Sequence, residues 1–179
     1  SAIATVAGST ITIIASERMN ERILYYPRSG SEMINATHNT PIIMYSDICK
    51  KAKKYGVVPV INQMFKKSPQ WLILLQDPHN LHSGHWFSLS IHPENHSIYY
   101  FSTYGFKPDV EKHRWISARK QRESNQDVDI LNDGLQTLQR TKGWRIHYND
   151  HSFQKEGDKT ATCGIYTAAF LRSGLNPDE

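Results

Sequence analysis

Trp71-Leu72-Ile73-Leu74-Leu75, His85-Trp86-Phe87-Ser88-Leu89-Ser90-Ile91 and Ser97-Ile98-Tyr99-Tyr100-Phe101 follow one another closely, each apolar and rich in β-branched or aromatic residues. Turn formers separate them: Asp77-Pro78-His79-Asn80, then His92-Pro93-Glu94-Asn95, the second short enough for a hairpin. Runs of this length and composition read as the strands of one sheet core.

Working outward toward the C-terminus, Asp109 to Gln121 and Val128 to Thr141 carry helical patterns. In the second, Ile130, Leu131, Leu135 and Leu138 share a face, and Gly143 follows as a cap. Trp144-Arg145-Ile146-His147-Tyr148 alternates as one more strand, and Asn149 to Lys159 is polar and turn-prone. From Cys163 onward the chain reads as a helix, with Ile165, Ala168, Ala169 and Leu171 as a buried stripe and Gly174 as the stop.

Toward the N-terminus, Lys66-Lys67-Ser68-Pro69 breaks the apolar segment Val57 to Phe65. Ser46-Asp47 opens a helix that Gly56 closes. Pro41 to Tyr45 is a strand or buried turn, and Arg28 to Asn39 reads as a surface loop. Glu17 to Leu24 is a short helix, Thr10 to Ile14 a strand, and Ser1 to Ser9 loose. The expected fold is α+β, a mixed, mainly antiparallel central sheet flanked by helices, in one domain spanning residues 1–179.

The chain has 179 residues, 39% hydrophobic and 21% charged, which excludes a disordered polymer. Net charge is +4, mildly basic, so weak attraction to nucleic acid or an acidic peptide is permitted and not required. Lys50-Lys51-Ala52-Lys53-Lys54 concentrates that charge and reads either as such a patch or as a solvated helix face. Two cysteines, Cys49 and Cys163, make at most one disulfide, so a reducing compartment is expected. No apolar run is long enough to span a membrane, and the N-terminus lacks the pattern of a secretory signal, so a protein that is not secreted is expected. No His/Cys cluster has zinc-like spacing, and neither a metal nor a cofactor is expected.

Cys49 has no His or acidic pattern around it and reads as structural. Cys163 stands where a loop becomes a helix and is followed by Gly164. There the free backbone N–H groups and the helix dipole favour thiolate over thiol. A nucleophile needs a base, and nine histidines are available. His85, within Ser83-Gly84-His85-Trp86, stands out: a turn becomes a central strand there, which fixes a side chain at the sheet's edge within reach of solvent. His82, His92 and His96 lie in loops.

Gly84-His85-Trp86, an apolar strand, Tyr99-Tyr100-Phe101-Ser102-Thr103-Tyr104-Gly105, then Gln154 and Cys163-Gly164-Ile165-Tyr166, in that order, resemble the adenovirus-type and ubiquitin-like-protease family of cysteine peptidases, the viral branch most closely. The resemblance covers Trp71 to Leu171; residues 1–70 carry none of its motifs. It implies a cysteine-protease-like fold with the nucleophile at a helix N-terminus. Cys163 matches that nucleophile and His85 the general base. Gln154 matches the oxyanion donor, with Glu156 the competing position across an enlarged loop. Trp86 matches the aromatic that packs beside the catalytic groups. The family's third residue is an Asp, Glu or Asn, and Ser102 stands in its place. Either Ser102 orients His85, or another acid such as Asp109 reaches in, or the protein is altered or inactive.

The expected activity is that of a thiol-dependent endopeptidase cutting protein or polyprotein substrates after small residues such as Gly. A viral maturation protease processing virion precursors is implied, working as a monomer in the host-cell cytoplasm or the virion. Its basic surface would bind nucleic acid or a peptide activator weakly. Three alternatives stay open: an acyltransferase on the same scaffold, an isopeptidase acting on ubiquitin-like conjugates, and a catalytically weak binding module.

Overall fold

The structure, a computed structural model, describes residues 2–6, 9–13, 30–37, 39–77, 80–149, 163–174 and 176–177; among these, the side chains of residues 2–6, 9–13, 30–32, 80–83 and 163–165 are left out.

Five strands form the central sheet, in spatial order β3 (Ile42–Met44), β4 (Gln70–Asp77), β5 (Asn80–His92), β6 (Ser97–Ser102) and β7 (Arg145–Tyr148). The two inner pairings, β4 with β5 and β5 with β6, are antiparallel, while both rim pairings are parallel. The sheet is thus mixed, antiparallel over its long central strands and parallel at its short rims. The reason lies in the connections: short turns join the central strands, whereas helices carry the chain across to β4 and to β7.

Strand β4 is apolar at every position from Trp71 to Leu75 because helices cover both faces of the sheet. On one face Trp71, Ile73, Leu75, Phe87, Leu89, Ile98 and Tyr100 pack against α2 (Tyr45–Tyr55), α3 (Val57–Lys67) and α6 (Ile130–Lys142). On the other, Leu72, Trp86, Tyr99 and Phe101 pack against α7 (Cys163–Ser173) and α1 (Gly30–Ala36). Successive strand residues alternate between the clusters with the two-residue period of the pleat.

Glycines at left-handed φ punctuate the helices. Gly56 (φ 86°) ends α2 and begins α3, and Gly143 (φ 71°) ends α6. Helix α2 opens at Tyr45, with Asp47 in its first turn, and Lys50, Lys51, Lys53 and Lys54 are exposed on it.

Three expectations need correction. The segment read as loose holds β1 (Ala2–Val6), paired antiparallel with β2 (Ser9–Ile13) in its own two-stranded sheet; its β-branched residues favour extension. The segment read as a surface loop contains α1, held by Met33, which is buried beneath α7. The pattern from Asp109 to Gln121 is two helices, α4 (Val110–Trp115) and α5 (Ala118–Glu123). Ile116 between them is extended and buried, and Ser117 caps α5 by accepting the Lys120 N–H. The helix expected over Glu17 to Leu24 lies outside the described residues.

Candidate active site at the end of the central sheet

Pairing between β5 and β6 ends at Phe87 and Ser102. His85 lies two residues further along β5, still paired with Leu75 of β4 but past the end of β6. Its ring lies on the Phe87 face of the sheet, with the two ring centroids 6.5 Å apart. Gly84 beside it is exposed, and a Cβ there would meet Leu74 Cδ1 at 3.2 Å and the Leu75 carbonyl at 3.3 Å.

The His85 ring is buried, 4% exposed, and its Nε2 faces two oxygens. Ser102 Oγ is 3.3 Å away and Glu111 Oε2 3.1 Å away. Ser102 donates its hydroxyl hydrogen to Glu111 Oε1. With that hydrogen committed, Ser102 can only accept from His85, which assigns the proton to Nε2 and leaves Nδ1 as the basic ring nitrogen. Glu111 Oε2 lies against the imidazole off hydrogen-bond alignment and has no hydrogen bond from any other described residue. Glu111 is 2% exposed, so its charge acts across a dehydrated gap where attraction to an imidazolium is stronger than in water.

Sequence reasoning missed Glu111. It belongs to α4, which also delivers Trp115 one turn later on the same face. The Trp115 ring centroid is 5.5 Å from His85 and that of Tyr104 is 4.9 Å. The two rings wall the imidazole. No sequence signal separated the two acids: Asp109 precedes α4 at a left-handed φ of 72°, outside the helix whose phase carries Glu111.

Asp109 serves elsewhere. Its carboxylate accepts the Tyr45 hydroxyl and the N–H groups of Leu131 (3.3 Å) and Asn132 (2.7 Å) at the start of α6. Burial raises the Asp109 pKa, while Tyr45 and those N–H groups oppose the rise. Buried Lys112 donates to the Val128 carbonyl at 2.6 Å and pairs with Asp129 at 3.1 Å. Asp109 and Lys112 thus join α4 to α6, while Glu111 between them faces His85.

Ser102 is itself fixed by Asn149, just past β7. The Asn149 side chain accepts the Ser102 N–H at 2.9 Å and donates to the Ser102 carbonyl. A side-chain amide thereby continues the ladder where the parallel strand stops.

Helix α7 begins at Cys163 and packs along β5. One turn in, Thr167 donates to the Trp86 carbonyl at 3.2 Å, and further on Phe170 stacks on Phe101 with centroids 4.3 Å apart. The start of α7 is thus set one turn from the backbone next to His85. The Cys163 side chain, Gln154 and Glu156 lie outside the described residues. The Trp86 ring packs in the α7-side cluster, on the face opposite Phe87. Cys49 is a free, buried thiol, and burial pushes it up to about 11. Among the described residues no three of His, Cys, Asp and Glu converge as metal ligands, and no helix is long and apolar enough to cross a membrane.

No protein-family model matches the chain, and no curated protein matches it closely enough to count as a relative.

Proposed function

We propose that the chain is a thiol-dependent endopeptidase in which Cys163 is the nucleophile and His85 its base. The observation that carries this reading is the buried His85–Ser102–Glu111 arrangement at the sheet's end, on the strand along which α7 packs. A histidine whose one ring nitrogen is fixed by a hydroxyl that a carboxylate holds in turn is the kind of base that a nucleophile at a helix N-terminus requires.

In the proposed cycle His85 Nδ1 takes the Cys163 thiol proton, and the thiolate attacks a peptide carbonyl carbon. The Cys163 N–H and the Gln154 amide hold the oxyanion. His85 returns the proton to the departing amine as the C–N bond breaks. Water, deprotonated by His85, hydrolyses the thioester and restores the thiol. Glu111 Oε2 lies against the ring on which the imidazolium forms twice per cycle. Ser102 accepts the Nε2–H and fixes the tautomer.

The order of the motifs from Gly84 to Tyr166 supports a protein substrate cut after small residues such as Gly, and a role in processing virion precursors. The test is cleavage of a peptide library together with labelling by a thiol-reactive peptide vinyl sulfone. Cys163→Ala abolishes both, and His85→Ala lowers turnover about 10²–10⁴-fold, the usual worth of a positioned base. Unchanged cleavage by Cys163→Ala overturns the reading.

A further inference from the structure

The chain's positive charge is unevenly placed. From Tyr45 to Lys67, the span of α2 and α3, there are six lysines, Lys50, Lys51, Lys53, Lys54, Lys66 and Lys67, and one acid, Asp47. That is an excess of five positive charges, more than the +4 of the whole chain, so the remaining residues are close to neutral in sum. All six lysines are exposed. A solvated helix face explains exposure, but it does not explain why every excess charge falls on one layer.

Between the two helices and the rim strand β3 lies a groove of about 400 Å³. Ile43, Val60, Met64 and Trp71 make its apolar wall, and Lys51 and Lys67 flank it. Lys53 pairs with Asp127 at 2.8 Å, but Lys51 and Lys67 have no carboxylate partner among the described residues. Trp71 turns its one polar atom inward, donating to the Met64 carbonyl at 2.9 Å, and so presents hydrocarbon to the groove. The groove is distinct from the sheet-end site: Trp71 pairs with Leu89, four positions along β4 from the Leu75–His85 pair.

We propose that the α2–α3 groove docks an acidic peptide segment, with one apolar or aromatic side chain seated on Ile43, Val60, Met64 and Trp71 and flanking carboxylates met by Lys51 and Lys67. The volume falls within the range of about 300–1,000 Å³ typical of small-ligand clefts, so it holds an anchor side chain rather than a helix. Two unpaired cations at the rim select negative charge and reject basic partners. Nucleic acid fits less well. Single strands are gripped by stacking platforms, and the exposed ring of this layer, Tyr55 at 61% exposure, has Lys54 Nζ 5.1 Å from its centroid. Phosphates gain nothing from an apolar wall.

The experiment is fluorescence polarisation with a short labelled peptide of Asp and Glu around one central Phe, run against the same peptide with Ser in place of Phe and against a labelled oligothymidylate. The acidic Phe peptide is expected to bind the wild-type chain, more weakly as salt rises. The double variant Lys51→Glu/Lys67→Glu should lose about tenfold or more in affinity at low salt, with an unchanged melting temperature. Gln63→Trp, which fills the groove from an exposed position and leaves the lysines in place, should weaken the Phe peptide and leave the Ser peptide unaffected. Equal affinity for the Phe and Ser peptides, indifference to both variants, or oligothymidylate binding more tightly than the peptide would each overturn the proposal.

Discussion

At Glu111 a carboxylate is buried with its two oxygens turned to different neighbours, Ser102 on one and the His85 ring on the other. A charge in that position is tolerated only if it is matched, and the imidazolium matches it once per proton transfer. Glu111→Gln keeps the shape and removes the charge. Its expected effect is a fall in turnover of about one to three orders of magnitude, since an opposite charge at this range moves a titration by about one to three pH units. The alkaline limb of the rate profile moves to lower pH, because the imidazolium loses its counter-charge. Ser102→Ala should cost less, about 1 kcal/mol, as a neutral hydrogen bond does. A pH–rate series on both variants checks the pair; an unmoved alkaline limb in Glu111→Gln removes Glu111 from the site. Cys49 gives a second test with a definite sign. An exposed thiol ionises near 9.0, while burial holds the folded one to about 11. Between those values the folded state binds more protons than the unfolded, so stability falls as pH rises through this window. Cys49→Ala should flatten that slope in thermal melts, although the core void lowers the midpoint at every pH. His85 and Ser102 could be read from the order of motifs along the chain. Glu111 could not, because its role depends on the phase of a six-residue helix that sequence periodicity merged with its neighbour.

Helices α3 and α6 meet with almost no space between them. A Cβ on Gly134 of α6 would lie 2.6 Å from Val57 Cγ2 and 2.9 Å from Ile61 Cδ1, both on α3. Alanine is the better helix former by about 1 kcal/mol, but overpacking here costs about 1–3 kcal/mol. Gly134→Ala is therefore expected to be neutral to destabilising, by up to about 2 kcal/mol in a denaturant titration, the reverse of what propensity alone gives. Stabilisation in that titration would mean the two helices sit farther apart. The strands from Trp71 to Phe101 were legible because their pattern is local: apolar runs between turn formers. Helix α1 was not, since its polar composition reads as loop and what holds it is Met33 under a helix more than 130 residues later. The break between α4 and α5 was hidden for a related reason, because Ile116 continues the apolar pattern while its backbone leaves the helix.

Across the whole molecule one sheet is shared by two cores, and neighbouring residues of β4 belong to different ones. Leu72→Ala and Ile73→Ala should each lose about 2–5 kcal/mol, the first by loosening the α7 side and the second the α2–α3–α6 side. Hydrogen exchange on the two variants checks which helices lose protection. If both variants expose the same helices, the two faces do not act as separate cores. The sheet's mixed pairing also bears on the order of events in time. Strands β4, β5 and β6 are consecutive in sequence and need only short closures to find one another, whereas β3 and β7 must wait for helical crossovers. His85 and Ser102 both lie in the early part, and Glu111 comes on a crossover. In a refolding chain the imidazole and the hydroxyl would then be neighbours before the carboxylate arrives, so competence of the site would lag behind formation of the sheet that holds it. Pulsed hydrogen exchange, with β4–β6 amides protected ahead of those in β7 and α4, is the outcome that this history requires.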